Sequence, residues 1–269
     1  MRVPFIKMHG LGNDFVVIDA RDSVLPHDMS APMAARLSDR HTGIGCDQLI
    51  MLEPCVAADF RMRIFNADGG EVEACGNASR AVALLHGKPA RVETAGGTIA
   101  LEPVPGGARV DMGLPRLGWE DIPLAYPMDT LDMPAAWEEL AGPVAVNVGN
   151  PHAVFFVTDA DAVDLARLGP LIEHDALFPQ RVNVNVASVH GNAITLRVWE
   201  RGAGLTRACG TGACATAVAA IRRRLVTSPV TVSLPGGDLT IEWDGSGPVF
   251  MTGPASESFR GTFAWNDFA

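Results

Sequence analysis

Two cysteines carry the first chemical signal. Cys75 stands in Ala74-Cys75-Gly76-Asn77 and Cys209 in Ala208-Cys209-Gly210-Thr211, 134 residues apart. Each opens a run of small apolar residues that reads as a buried helix. A helix N-terminus presents unpaired N–H groups and the positive end of the peptide dipole. It favours thiolate over thiol and it holds carboxylates. Gly76 and Gly210 let the backbone come close to a ligand, and Gly212 adds a further open position. One feature thus supplies both a base and an anion cradle, twice. Two thiols facing each other across a cleft suit inversion of a stereocentre, one sulfur taking a proton from one face of a carbon while the other donates to the opposite face. Cys46, Cys55 and Cys214 have no counterpart at the same offset; Cys214, one turn into its helix, reads as a packed core residue.

The elements that position these thiols are themselves repeated. Residues 63–84 align without a gap on residues 197–218, with identities Arg63/Arg197, Gly70/Gly204, Ala74/Ala208, Cys75/Cys209, Gly76/Gly210, Ala81/Ala215 and Ala83/Ala217. Gly12-Asn13 before Phe15-Val-Val-Ile matches Gly149-Asn150 before Ala153-Val-Phe-Phe-Val. Gly96-Gly97 matches Gly236-Gly237, each leading into a strand-like run. Short strands are expected at Arg61–Phe65, Arg91–Thr94, Thr98–Leu101, Ala153–Val157, Ile194–Trp199, Val230–Leu234 and Leu239–Trp243. One apolar helix is expected in each half, from about Asn77 to Leu85 and from about Thr211 to Leu225. The expected fold is α+β: two pseudo-symmetric domains from an internal duplication, each a curled mixed or antiparallel sheet around a central helix. The boundaries fall at residues 1–117 plus 258–269 for the first domain and 118–257 for the second. The proline-rich stretch Leu114–Gly142 reads as the connection, and Gly261–Trp265 as a strand returning to the first domain.

Composition limits the alternatives. With 269 residues, 48% of them apolar and 19% charged, the chain can bury a core without disulfides and is not a disordered chain. A net charge of −10 argues against gripping phosphate backbones, so no nucleic-acid partner is expected. No apolar run approaches the length of a membrane span, and the first residues have no signal-peptide pattern. An odd, sparse set of five cysteines reads as free thiols in a reducing cytoplasm. Metal-ligand spacings are missing, so no metal site is expected.

At these residues the chain resembles the diaminopimelate epimerase family. The matching words are Lys7-Met-His-Gly-Leu-Gly-Asn-Asp-Phe15, Gly43-Ile-Gly-Cys-Asp-Gln48, Ile64-Phe-Asn-Ala-Asp-Gly69, Cys75-Gly-Asn77, Gly149-Asn-Pro-His152, Glu200-Arg-Gly202 and Ala208-Cys-Gly-Thr-Gly-Ala-Cys214. They cover both halves in family order. The resemblance implies a homodimeric enzyme of lysine and peptidoglycan precursor synthesis. It would interconvert LL- and meso-diaminopimelate without pyridoxal phosphate, metal or other cofactor. It also implies Cys75 and Cys209 as the acid/base pair. Asn13, Gln48, Asn66, Gly76, Asn77, Asn150, Asn183, Glu200, Arg201, Gly210 and Thr211 would form the substrate-binding set, and His152 and Glu200 would tune the thiols.

The residue types suit that substrate, which has an ammonium and a carboxylate at both ends. Asparagine amides both donate and accept, and Arg201 can fork onto a carboxylate. Asn183 and Asn185 alternate along one strand and share a face; the resemblance favours Asn183. Two positions depart from the family pattern: Ala78 stands where glycine is common, and Ala153 where cysteine is frequent. Three other functions fit the two-cysteine pattern: a racemase of the same superfamily acting on another amino acid, a thiol redox switch, and an amino-acid-binding protein.

Overall fold

The computed structural model describes every residue of the chain except 24, 27, 73–75 and 269, so Cys75 lies outside the described residues. The chain divides into two compact units, residues 1–110 with 253–269, and residues 111–252. The elements run, in chain order, β1 (Arg2–Gly10), β2 (Asn13–Asp19), α1 (Ala31–Ser38), β3 (Gln48–Glu53), β4 (Phe60–Asn66), β5 (Glu71–Val72), α2 (Gly76–His86), β6 (Ala90–Thr94), β7 (Gly97–Val104) and β8 (Gly107–Asp111). They continue with β9 (Ala136–Trp137), β10 (Leu140–Ala141), β11 (Val144–Asn147), β12 (Pro151–Phe156), α3 (Leu165–Glu173), β13 (Asn183–His190), β14 (Ala193–Glu200), β15 (Gly204–Thr206), α4 (Gly210–Arg222), β16 (Val230–Leu234), β17 (Gly237–Glu242), β18 (Phe250–Gly253) and β19 (Ser256–Ala264).

The two units share one pairing scheme. In the first, β1 lies antiparallel to β2, β2 parallel to β3, β3 antiparallel to β4, β4 parallel to β6, and β6 antiparallel to β7. In the second, the same five relationships join β11 to β12, β12 to β13, β13 to β14, β14 to β16, and β16 to β17. The repeat seen in sequence is therefore a repeat of topology. β19 adds to the first unit, antiparallel to β1, with Phe5 opposite Gly261.

The central strands are buried on both faces. Phe15–Ile18 and Leu49–Leu52 are continuous apolar runs with no exposed member, as parallel strands covered on both sides should be. The outer strands alternate: β6 and β16 share the pattern buried, exposed, buried, intermediate, buried. Val16, Ile18, Leu49 and Met51 pack with Met33 and Leu37 of α1. Phe155, Val184 and Val186 pack with Leu165, Leu168 and Ile172 of α3. On burial, α2 and α4 are the apolar helices expected from sequence, Ala78–Ala83 and Ala213–Ala220 being enclosed.

Two features differ from the sequence expectation. Each unit carries a second helix, α1 or α3. Both are short and start at an N-cap, Ser30 accepting from Met33 N and Asp164 from Arg167 N. The Gly169-Pro170 pair inside α3 obscures it in sequence. Gly169 is required there because a Cβ would come within 2.4 Å of the Trp199 ring. The stretch Leu114–Gly142 is more than a connection: it forms the β9–β10 hairpin, and Ile122, Leu124, Met133 and Leu140 are buried in the core of the second unit.

Candidate active site

Cys209 is the N-cap of α4. Its backbone is extended, at φ −129° and ψ 107°, and its Sγ accepts from Gly212 N at 3.3 Å. The Thr211 hydroxyl lies 3.5 Å from the same sulfur. A sulfur thus takes the place of the oxygen that usually closes a helix start. The residue is only 3% exposed. The expectation of a depressed thiol pKa does not hold for Cys209. Burial pushes it well above its ordinary value, and the neighbouring Glu200 carboxylate pushes it further in the same direction. The Thr211 and Gly212 contacts oppose this without overcoming it. Cys209 is therefore a thiol at rest, with a carboxylate against it and a helix start beneath it.

Around Cys209 the second unit arranges most of its expected site residues. Glu200 ends β14, and its Oε1 accepts from the Thr206 hydroxyl at 2.5 Å. Asn183 opens β13; its Nδ2 donates to Pro151 O at 2.8 Å and its Oδ1 accepts from Arg201 N at 2.9 Å. The Arg201 guanidinium donates to Gln180 O at 2.9 Å and is exposed. His152 is fully buried. Its Nε2 lies 2.9 Å from Asn150 Oδ1, and its Nδ1 faces both ends of the Asn185 amide, 3.2 Å from Nδ2 and 3.3 Å from Oδ1. Burial lowers its pKa to about 3, and the nearby Arg201 charge adds to that. The imidazole is neutral at physiological pH. Gly210 and Thr211 form the first turn of α4.

The first unit mirrors these positions. Gln48 opens β3 opposite Asn66 at the end of β4, and Gln48 Nε2 donates to Asn66 Oδ1 at 3.1 Å. The buried Gln48 Oε1 has no partner among the described residues, which leaves an acceptor for an incoming N–H. Asn77 Nδ2 donates to Asn13 Oδ1 at 3.1 Å, tying the first turn of α2 to the start of β2. Gly76 opens α2 and is buried, as are Ala78 and Ser79. Sheet register makes Gln48 the counterpart of Asn183, since Phe15 pairs with Gln48 and His152 with Asn183. Continuing the β13–β14 register sets Asn183 opposite Glu200, as Gln48 is opposite Asn66. The expected binding residues thus sit at strand ends and at the start of each buried helix.

Sequence reasoning missed the groups that hold these residues. Asn13 Nδ2 donates to Asp47 Oδ2 at 3.0 Å, and Asp47 accepts Arg40 at 2.7 Å. Asp14 accepts Arg40 and Lys7. Against its partial burial, those hydrogen bonds hold the Asp14 carboxyl well below the usual carboxylate range. All but Arg40 stand in the quoted words, which was the signal available. In the second unit the buried Glu173 accepts Trp199 Nε1 at 2.8 Å and Gly202 N at 3.0 Å, bracing the turn that carries Glu200 and Arg201. No motif pointed to Glu173.

The profile of one family, diaminopimelate epimerase, matches residues 5–118 and 144–257, one copy in each half. The chain belongs to the diaminopimelate epimerase family. It is 68% identical to the diaminopimelate epimerase of Erythrobacter litoralis over the whole of both chains, and 64% identical to that of Sphingopyxis alaskensis over 98% of each. Among solved structures, a Bacillus anthracis phenazine biosynthesis protein of the PhzF family shares the fold, with a TM-score of 0.70 at 14% identity over 98% of this chain and 99% of that one. In this epimerase-family chain, each matched copy contains a Cys-Gly word, Cys75-Gly76 and Cys209-Gly210.

Proposed function

We propose that the protein interconverts LL- and meso-diaminopimelate by a two-thiol proton transfer, Cys75 and Cys209 serving opposite faces of the α-carbon. The observation that carries the mechanism is the Cys209 cradle. A buried thiol caps α4, Glu200 lies against it, and both favour the protonated form. Cys209 is then the acid of the resting pair and Cys75 the base. The Cys75 thiolate takes the α-proton, so that a C–H bond breaks and an S–H bond forms. Cys209 delivers its S–H proton to the other face, forming the new C–H bond and leaving its own thiolate. The reverse reaction exchanges the roles.

The unactivated α-proton is the obstacle, because the charge left on the carbon flows into the adjacent carboxylate. Backbone N–H groups at a helix start stabilise that charge without reorganising. Gly210-Thr211 supplies one such start and Gly76-Asn77 the other. Gln48 Oε1, Asn66 and Glu200 offer acceptors to the ammonium groups, while Asn13, Asn77, Asn150 and Arg201 offer donors to the carboxylates. Asn183 holds the Arg201 backbone.

The enzyme would act in the cytoplasm, as a homodimer, on a route to lysine and peptidoglycan. The family name supports the pathway, and the odd, sparse set of five cysteines supports a reducing compartment. Among the described residues no helix is long and apolar enough to cross a membrane. The deciding experiment is α-hydrogen exchange in deuterium oxide with LL- and meso-diaminopimelate, no cofactor added, alongside proline and other amino acids. Exchange confined to diaminopimelate is expected. Wild-type exchange by Cys75→Ser and Cys209→Ser, or exchange of proline in preference, would overturn the proposal.

A further inference from the structure

The two units differ at one buried column. In the second unit His152, Asn185 and Thr216 are each fully enclosed and hydrogen-bonded in series. The equivalent positions of the first unit hold Phe15, Ile50 and Val82, also fully enclosed. The equivalence follows from register: Val17 pairs with Ile50 as Val154 pairs with Asn185, and Val82 lies 134 residues before Thr216. A fold that packs well with an apolar column in one copy does not need a polar one in the other. Burying polar groups carries a desolvation cost that apolar residues of similar shape avoid.

The polar column reaches both functional groups of its unit. Asn185 Nδ2 lies 3.3 Å from Gly212 O and 3.2 Å from Thr216 Oγ1. Gly212 is the residue whose N–H holds the Cys209 sulfur. At the other end, His152 Nε2 meets Asn150 Oδ1 at 2.9 Å. Nδ1 faces both Asn185 Nδ2, at 3.2 Å, and Asn185 Oδ1, at 3.3 Å; the shorter contact of an oxygen with Nε2 puts the proton there and selects the Asn185 N–H as the donor to Nδ1. That fixes the Asn150 amide with its oxygen toward the histidine and its N–H donors available for a carboxylate.

We infer that Asn185 is a positioning residue of the epimerase reaction, setting through His152 the orientation of the Asn150 amide and through Gly212 the place of the Cys209 thiol. The inference rests on the proposed roles of Cys209 and Asn150. It makes the second unit the one in which thiol placement and substrate grip are coupled, whereas the first unit has no such coupling at Phe15, Ile50 and Val82.

The test combines a spectroscopic and a kinetic measurement on the full chain. Nitrogen-15 spectra of labelled histidine, with the His152 signals assigned by their loss in His152→Phe, should show the imidazole locked with its proton on Nε2 at neutral pH. In Asn185→Ile, which installs the first unit's residue, those signals should move toward the averaged positions of a mixed tautomer, and kcat should fall about tenfold or more, as expected for loss of a buried hydrogen bond. Thr216→Val should lower kcat less, and Thr216→Ser, which keeps the hydroxyl, should restore it. A wild-type imidazole with its proton on Nδ1 would overturn the inference, even if Asn185→Ile does not fold. Unchanged His152 signals and unchanged kcat in folded Asn185→Ile and Thr216→Val would overturn it as well. Failure of the two-thiol proposal is separate: it would show as undiminished α-hydrogen exchange in Cys209→Ser, which leaves the His152 spectrum untouched.

Discussion

Asn183 and Arg201 are joined side chain to backbone: the Asn183 Oδ1 accepts the Arg201 N–H at 2.9 Å while its Nδ2 is anchored on Pro151 O. Both ends of the amide are therefore used inside the second unit, and Asn183 controls where the Arg201 guanidinium begins. Asn183→Ala removes the acceptor of the part-buried Arg201 N–H, at a cost of about 0.5–1.5 kcal/mol. The expected outcome is a rise of about tenfold or more in KM with a smaller change in kcat. Steady-state kinetics would check it, and an unchanged KM would show that Arg201 does not depend on this anchor.

Glu200 raises the Cys209 pKa, second only to burial. Removing its charge in Glu200→Gln should lower that pKa, because the thiolate no longer faces a like charge. Alkylation of Cys209 by iodoacetamide, followed by peptide mass spectrometry across a pH series, should then rise at lower pH than in the wild type. A profile that stays in place would remove Glu200 from the tuning of this thiol.

Gly212 is packed against its surroundings. A Cβ there would lie 3.1 Å from Val198 Cγ2 and 3.2 Å from the Cys209 sulfur. Gly212→Ala should displace the thiol and its N–H donor together. We expect kcat to drop about tenfold or more while stability changes by about 1–3 kcal/mol, the usual cost of overpacking. Paired measurement of turnover and denaturant midpoint separates the two effects; wild-type turnover would mean that the sulfur has slack.

His152 should make the protein acid-sensitive. Its pKa falls from the ordinary 6.5 to about 3 on folding, chiefly by burial. Between those values the unfolded chain binds a proton that the native state refuses. This contribution to stability is intact above pH 6.5 and declines as pH falls toward 3, by up to about 1.4 kcal/mol per pH unit. His152→Phe, the residue type found at the matching position of the first unit, should flatten the slope of unfolding free energy against pH in that window. An identical slope in the variant would place the acid sensitivity elsewhere.

The sequence alone determined the duplication, the chemistry-bearing words and the starts of the two buried helices. Each is a local pattern repeated at a fixed offset, and local patterns survive without coordinates. Asn13, Gln48, Asn66, Asn150 and Glu200 stand in short words at strand ends, which is how the resemblance could single them out, whereas Asn183 stands in no such word and was chosen over Asn185 by the resemblance alone. α1 and α3 were not legible, because short helices built around a proline or a Gly-Pro pair carry weak periodicity. Nor was the packing of Leu114–Gly142, whose buried residues meet partners far along the chain.

Tertiary structure alone decided the protonation of Cys209. The helix start favours thiolate and is visible in sequence; burial and the Glu200 charge favour thiol and are not. Their outcome depends on water excluded by residues distant in the chain, a quantity no spacing encodes. The same holds for the buried column of His152, Asn185 and Thr216, whose members are scattered over 65 positions and meet only where β12, β13 and α4 pack.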